Sequence, residues 1–509
     1  MATPHHPLLM PEILAIIANT CFPEWHTHIL LHGDQHTITP PETFNDILAC
    51  LQVCRTWNAV FSPVLYNTYT YTSQQTIDAP SHTTIAKYAH LVRAFVCYYK
   101  DLRQDDIVLP CHDVQFPNLD QLVLLDRTEI TRSLEDIIST HVPNRSRLHR
   151  FQWSRTAYLK QEMPEPAIQT LLTFENLQEL GLFGWTLLDD RFPQILTNVH
   201  NTLATLTVSR LHGFDVLPQD LILPKLKALN LHFAWAESEA LVKLPTVCPV
   251  LEEIHLIVDT LFDGNVLAES LARHCPALRK LTYREEYSMT FEQGCFIEDD
   301  EYAALVASPQ HLELVELGLP GLSEMMASAL VSHGDSLVHL DLCMCRGLVL
   351  DADRMLKILT SCTQLKHVEL REVNGSARSV IEPLIAEPWV CTGLKTLVIN
   401  GYTPLGVLPQ STPWARRGGT EKDEKEEGAI VDVSFSPLFF VDQGWYLDPN
   451  DSMREAEYDW DIKKRLMVHL APLPLERLEL EEIEFYREEI IVSEDEDQEE
   501  EEEENTEDD

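Results

Sequence analysis

The hexapeptide LKALNL at residues 226–231 is followed by LEEIHL at residues 251–256, and the same L-x-x-L-x-L spacing recurs along much of the chain. Between Leu119 and Leu394, successive copies start 29, 29, 26, 23, 25, 27, 36, 23, 28 and 29 residues apart. A gap of 81 residues then separates the start at Leu394 from the start at Leu475. A steady period of this length predicts one supersecondary unit per copy rather than chance leucines. Good copies begin at Leu119, Leu177, Leu203, Leu226, Leu251, Leu278, Leu314, Leu337, Leu365, Leu394 and Leu475, and a weaker one begins at Leu148.

Each copy predicts a short strand, because its fourth and sixth residues are apolar and alternate with polar ones. One unit cannot bury its apolar side alone, so the units are expected to stack and to return through a helix on the outer side. Residues 237–249 are typical of such a helix and end at Pro249. Cys248 and Cys275 precede prolines at equivalent junctions, and we interpret both as small buried wall residues rather than as metal ligands.

The residues that alternate with the leucines must point away from the core, onto the concave face of a curved stack. This face mixes acids, histidines and a few bases, which favours a protein partner of basic or mixed charge. The alternative is a solvated face with no partner. The candidate substrate-binding residues are His232, His255, Arg284, His339, Asp341, His367, Glu369 and Arg371, and the stretch from His339 to Arg371 is favoured because its polar groups lie on adjacent units. Glu179, Phe183, Asn230, Glu253, Lys280 and Glu316 are predicted to face the same way.

The charge of the chain argues against nucleic-acid and membrane partners. Its 81 Asp and Glu residues against 38 Lys and Arg give a net charge of −43, which opposes contact with phosphate backbones and anionic lipid. Residues 493–509 hold 13 acids and no base and are predicted to be a disordered tail. Ser493 is followed by Glu494, Asp495 and Glu496 and suits an acidophilic kinase, although an unmodified tail fits equally well.

The sequence also predicts a reducing compartment, the cytosol and/or the nucleus. Its first ten residues resemble no secretory signal, and no stretch approaches 18 uninterrupted apolar residues. None of the 12 cysteines lies in a C-x-x-C pair, so reduced thiols are expected rather than a disulfide framework.

No enzyme chemistry is expected from the motifs. The chain contains no phosphate-binding loop, dinucleotide fingerprint, H-E-x-x-H or G-x-S-x-G motif, so we predict no catalytic residue and no cofactor. Four histidines at 26, 28, 32 and 36 are the remaining metal candidates. They lack a cysteine or carboxylate cluster of ligand spacing, and we interpret them as part of a polar loop without metal.

Two amphipathic helices are predicted before the repeats. In MPEILAII, Pro11 suits a first helical position, and Ile13, Leu14 and Ile17 share one face. A second helix starts near Thr43 and is expected to end at Pro63. Its apolar residues recur at a spacing of three to four, at Ile47, Cys50, Leu51, Cys54, Trp57 and Phe61.

MPEILAII followed by ILACLQVCRTWNAVFSPVLY resembles the F-box, a short helical domain. The second half carries the match at Cys50, Val53, Cys54, Arg55, Trp57, Leu65 and Tyr66, whereas the stretch between the helices is longer than is usual for the family. Together with repeats of the form CP-x-L-x-x-L, the chain resembles the F-box leucine-rich-repeat proteins, particularly the large fungal sets.

This resemblance implies an α/β fold, in which a curved, ribonuclease-inhibitor-like leucine-rich-repeat solenoid follows a small all-α domain. The implied domains are an F-box-like domain at 1–72, a connecting segment or solenoid cap at 73–114, repeats at 115–414, a charged and disordered insertion at 415–460, a last repeat at 461–492 and the tail at 493–509.

The resemblance also implies a function, that of a non-catalytic substrate-recognition subunit of a Skp-cullin-F-box ubiquitin ligase. Its partners would be a Skp-type adaptor, through it a cullin, and an unknown protein substrate. The implied adaptor-binding residues are Pro11, Ile13, Leu14, Leu51 and Val53. Two alternatives stay open: the helices only cap the end of the solenoid, or the chain is a ligase-independent acidic repeat protein that binds histones or other basic proteins.

Overall fold

The protein is α/β, and its chain divides into two compact units. The first comprises residues 1–278 and 285–296, and the second comprises residues 279–284 and 297–509. The computed structural model describes residues 13–17, 44–72, 82–99, 114–126, 134–155, 161–186, 191–209, 220–232, 238–258, 263–285, 298–319, 321–344, 351–373, 384–401, 466, 477–480 and 483–486.

The first unit begins with three helices that share a small apolar core. They are α1 (13–17), α2 (Phe44–Val53) and α3 (Arg55–Leu65). Leu14 of α1 and Phe61 of α3 are fully buried at the centre of this core. The partly buried side chains packed against them are Ile17, Cys50, Leu51, Trp57, Val60, Val64 and Leu65. The predicted apolar faces of the two segments therefore meet.

The second predicted helix is in fact two helices, separated by Cys54. Cys54 has an extended backbone (φ −165°, ψ 175°), and the side-chain amide of Asn58 donates to the carbonyl of Leu51 at 3.2 Å. That bond satisfies one of the carbonyls that the end of α2 leaves without a helical partner. Pro63 lies inside α3, two residues before the helix ends, rather than terminating it as expected.

The rest of the first unit alternates strands with helices. The main strands are β1 (Thr68–Thr72), β2 (Ala94–Tyr99), β3 (Gln121–Asp126), β4 (Arg150–Arg155), β6 (Glu179–Phe183), β8 (Thr205–Ser209), β9 (Ala228–His232) and β10 (Glu253–Val258), and neighbours in this order pair in parallel. Two short strands, β5 (Gln161–Glu162) and β7 (Trp185–Thr186), pair with each other. The helices are α4 (His82–Tyr88), α5 (Leu134–His141), α6 (Glu165–Leu171), α7 (Arg191–Val199), α8 (Ser238–Val247) and α9 (Gly264–His274), with 3-10 turns at Ala89–Leu91 and Arg145–Arg147.

Strand register confirms the predicted repeat in this unit. Leu122, Phe151, Leu180, Leu206, Leu229 and Ile254, the fourth residues of successive copies, are aligned partners. All six are at most 4% exposed. The apolar column that the alternation predicts is therefore the core of the unit.

The sheet starts two strands before the first predicted repeat. Tyr69 of β1 aligns with Phe95 of β2, and Phe95 aligns with Leu122. The repeat pattern therefore also occurs at residues 66–71, as Y-x-x-Y-x-Y, and at residues 92–97, as V-x-x-F-x-C, with other residues in place of leucine. These strands lie within the segments expected to be the helical domain and the connecting segment, and a search for leucine does not detect them.

The predicted wall cysteines are confirmed. Cys248 and Cys275 are 0% and 1% exposed, and the thiol of Cys275 donates to the carbonyl of Cys248 at 3.5 Å. Burial raises the pKa of Cys275 to about 12, so this thiol stays protonated at neutral pH. Cys362 and Cys391 of the second unit occupy the same place in later repeats and are also fully buried.

The second unit repeats the strand-helix pattern. Its strands are β11 (Lys280–Glu285), β12 (Leu314–Leu319), β13 (His339–Met344), β14 (His367–Val373), β15 (Thr396–Gly401) and β16 (Arg477–Leu480), which pair in parallel, and β17 (Ile483–Tyr486), which is antiparallel to β16. Its helices are α10 (Asp299–Ala307), α11 (Glu324–Val331) and α12 (Ala352–Leu359). Because Leu397 aligns with Leu478, the repeat that begins at Leu475 continues the one at Leu394.

One predicted repeat start is wrong by two residues. Val315 of β12 aligns with Leu281 and Leu340, so the copy there begins at Leu312 and reads LELVEL. Leu312 is fully buried, whereas Leu314 is half-buried and aligns with His339 on the other side of the strand. The local sequence allows both frames, and pairing with the neighbouring strands selects one.

Candidate functional site

The polar face of the second unit is the side of β11–β15 that points away from its leucine core. Strand register arranges its side chains in rows. The middle row contains Thr282, Glu316, Asp341, Glu369 and Val398. The row on one side contains Lys280, Leu314, His339, His367 and Thr396, and the row on the other contains Gly318, Cys343 and Arg371.

Three carboxylates lie side by side in the middle row. Glu316, Asp341 and Glu369 are directly aligned on β12, β13 and β14. Adjacent strands are about 4.8 Å apart, and like charges placed directly opposite each other destabilise a sheet. The face must therefore supply compensating positive charge.

Two arginines supply that charge from the flanks. Arg284 pairs with Glu316, and its Nη2 lies 3.6 Å from Oδ2 of Asp341. Arg371 pairs with the same Oδ2 of Asp341, and its Nη2 lies 3.1 Å from Oε2 of Glu369. Two guanidinium groups thus converge on one carboxylate oxygen, and the five side chains form a single ion-pair network.

Asp341 occupies the centre of the network and is only 2% exposed. Its Oδ1 is buried and has no hydrogen-bond partner among the described residues. Burial raises the pKa of Asp341 to about 6, and Arg371 opposes this shift while Glu316 adds to it. Asp341 therefore carries its charge at pH 7 and loses it just below neutrality.

Two histidines flank the carboxylates. The rings of His339 and His367 are stacked with their centroids 5.6 Å apart, and Nδ1 of His367 lies 3.1 Å from the hydroxyl of Thr396. Burial lowers the pKa of His339, so that its ring is neutral at pH 7. This row adds polar groups to the face without adding charge at His339.

Six of the eight predicted substrate-binding residues are brought together on the polar face. They are Arg284, His339, Asp341, His367, Glu369 and Arg371. His232 and His255 belong to the first unit, where His255 is half-buried and aligns with Asn230, and the side chain of His232 lies outside the described ones. Glu316, predicted to face outward but not included among the candidates, is a full member of the network. The hydroxyl of Thr282 donates to Glu316 at 3.3 Å.

The predicted adaptor-binding residues differ in their exposure. Val53 is 58% exposed, Ile13 and Leu51 are half-buried, and Pro11 lies outside the described residues. Leu14 is fully buried, so its expected place on a docking surface is corrected: it packs on Phe61 inside the helices. Ile16, which was not predicted, is 65% exposed.

Other predicted features lie outside the described residues. They are His26, His28, His32 and His36, the whole segment 415–460, Ser493 and the rest of the acidic tail. In the part of the chain that the structure does describe, no three His, Cys, Asp or Glu residues are grouped to hold a metal ion. No described helix combines the length and the apolarity needed to cross a bilayer.

Comparison with known proteins does not assign the chain to a family. No family model matches it. No curated protein matches it significantly either.

Proposed function

We propose that the chain is a non-catalytic substrate-recognition subunit of a Skp-cullin-F-box ubiquitin ligase. In this proposal α1, α2 and α3 are the F-box and dock a Skp-type adaptor, which joins the chain to a cullin. The leucine-rich repeats hold a protein substrate, and the conjugating enzyme supplies the chemistry. The chain would then act in the cytosol and/or the nucleus.

The observation that carries the proposal is the arrangement of apolar residues on the three helices. Leu14 and Phe61 close a small core, whereas Ile16 and Val53 remain 65% and 58% exposed. Of these two, Val53 falls where the family resemblance expects contact with a partner, and its exposure supports that contact. Val53 is one of the residues that match the F-box pattern.

The polar face supports the second half of the proposal. A receptor needs a rigid surface with specific charges, and register holds Glu316, Asp341 and Glu369 in one row. Charged side chains in fixed positions give selectivity between partners more than they give affinity. Holding adaptor and substrate on one chain would accelerate transfer by proximity alone.

The test measures binding of the full chain to purified Skp-type adaptor by calorimetry. We expect Ile16→Glu and Val53→Glu each to weaken binding at least tenfold, because each places a charge on the proposed apolar contact. Met325→Glu is the matched control, since Met325 is 55% exposed on α11 of the other unit. Its affinity for the adaptor should equal that of the wild type.

A folded wild-type chain with no affinity for the adaptor would contradict the proposal. The alternative of a ligase-independent acidic repeat protein would then be favoured, with the helices serving as a cap. Equal losses in Met325→Glu and Val53→Glu would also contradict it, because they would show that the effect does not come from the helices.

A further inference from the structure

We infer that the middle row of the polar face receives an arginine or lysine side chain of the protein substrate, in contact with Glu316, Asp341 and Glu369. The inference rests on the proposed function in one respect, that the polar face is where the substrate binds. It adds the chemistry of the residue that is recognised.

Charge balance is the first argument. The network contains three carboxylates and only two guanidinium groups, Arg284 and Arg371, while His339 stays neutral at pH 7. Within these five side chains one negative charge is therefore left over. A single cationic side chain would complete the balance, and a partly desolvated site strengthens such an interaction relative to water.

The unsatisfied oxygen of Asp341 is the second, independent argument. Buried carboxylate oxygens in folded proteins almost always have a donor, and an exception calls for an explanation. Oδ2 of Asp341 has two guanidinium neighbours, whereas Oδ1 has no partner among the described residues. Oδ1 is shielded from solvent, so an ammonium or guanidinium N–H of the substrate would reach it only after Arg284 or Arg371 moves aside, and would then be the charge-assisted donor that this oxygen lacks.

An acidic partner fits the face less well. Both arginines are already engaged through Nη2, Arg284 by Glu316 and Arg371 by Asp341 and Glu369, and only Nε of Arg284 is left buried without an acceptor among the described residues. An incoming carboxylate would have to displace one of these and would become the fourth negative charge in the cluster. Repulsion of this kind excludes wrong partners from an interface.

The neighbouring row has the small residues that such a contact needs. Gly318 and Cys343 are aligned beside the carboxylates, between the positions from which Arg284 and Arg371 reach inward. A long, flexible cationic side chain can lie along this row with its head group towards Asp341. The stacked rings of His339 and His367 border the carboxylates on the opposite side.

The test selects peptides from a displayed random 12-residue library on the purified full chain. The variant Glu316→Gln/Glu369→Gln keeps the size of both side chains and removes two charges from the row. The control Asp353→Asn/Glu387→Gln removes two exposed carboxylates of the same unit away from the face. Circular dichroism and the unfolding midpoint verify that each variant is folded.

We expect the selected peptides to be enriched in arginine or lysine. Their affinity should fall at least tenfold for Glu316→Gln/Glu369→Gln and change less than twofold for the control. Unbiased peptides, peptides rich in Asp and Glu, equal losses in both variants, or no peptide that distinguishes them would each overturn the inference.

A pH titration provides a second readout, since Asp341 loses its charge between pH 7 and pH 5. The groups around Asp341 are Arg284 on β11, Glu316 on β12, His339 and Cys343 on β13, and His367, Glu369 and Arg371 on β14. For a peptide without His, Asp or Glu, affinity should fall by about tenfold from pH 7 to pH 5, as Asp341 with its pKa of about 6 becomes protonated. An affinity that stays constant over this range would contradict the contact with Asp341.

The outcome is separable from that of the adaptor experiment. Glu316→Gln/Glu369→Gln lies in the second unit and should bind the adaptor as the wild type does. Peptide binding without adaptor binding would contradict the ligase proposal and would still support this inference. Adaptor binding without selective peptide binding would do the reverse.

Discussion

At the scale of single residues, burial decides which titratable groups matter. His333 is 4% exposed, and its two ring nitrogens are both used: Nε2 donates to the carbonyl of Val306 at 2.7 Å, and Nδ1 accepts from the backbone N–H of Leu312 at 3.3 Å. Only the neutral tautomer makes both bonds, since a second proton would face the N–H of Leu312. Burial lowers the pKa of His333 accordingly.

We expect His333 to make the second unit less stable in acid. The pKa of His333 in the folded state lies below the unfolded value of about 6.5, so below pH 6.5 the unfolded chain binds more protons than the folded chain. The free energy of unfolding therefore decreases as the pH falls below about 6.5. Asp341 acts in the opposite direction, since its raised pKa favours the folded state as it becomes protonated. The two effects are separated by substitution.

His333→Phe should lower the free energy of unfolding at pH 7 by about 1–3 kcal/mol for each backbone group that loses its partner. It should also remove the part of the acid destabilisation between pH 7 and pH 5 that comes from His333. Urea unfolding of both proteins at the two pH values measures this. An unchanged pH dependence in His333→Phe would show that another group is responsible.

At the scale of elements, alternation predicts strands well because it encodes which side is buried. It therefore placed Arg284, Asp341 and Arg371 on one face from the sequence alone. It missed β1 and β2, where aromatic residues and cysteine replace leucine. It misplaced the start at Leu314 because LELVELGL, at residues 312–319, contains two overlapping frames. Alternation could not predict the ion-pair network, because its side chains are about 30 residues apart in the sequence and are brought together only by the register of the strands.

The helix cluster yields a prediction at the same scale. Leu14→Ala should destabilise α1–α3 by about 2–5 kcal/mol, because it removes a fully buried side chain from a small core. Ile16→Ala on the same helix is the control and should have little effect, since Ile16 is 65% exposed. Hydrogen exchange of peptides from these helices measures the local opening free energy. Equal protection in both variants would show that α1 does not stabilise the cluster.

At the scale of the whole molecule, net charge is the dominant property. A charge of −43 repels itself within the folded state, whereas exposed ion pairs such as Lys227–Glu252 at 2.8 Å each contribute little. Salt screens both the repulsion between like charges and the attraction within exposed ion pairs. We expect the repulsion to be the larger of the two in total. We therefore expect the midpoint of thermal unfolding to rise between 20 and 300 mM NaCl.

Calorimetry of the full chain and of a form that lacks residues 493–509 would check this. The shorter form loses 13 acids and should show a smaller increase with salt. A midpoint that falls with salt in both forms would mean that ion pairs, rather than repulsion, control the stability.

The antiparallel strand β17 has a consequence for how the protein can change in length over evolution. A parallel array lengthens when another strand of the same direction is added at its edge. Because β17 reverses the chain beside β16, a duplicated unit appended after it would meet neighbours of the wrong direction. At this end, the array is expected to gain or lose repeats only by duplication or deletion before residue 477, with the β16–β17 hairpin inherited unchanged.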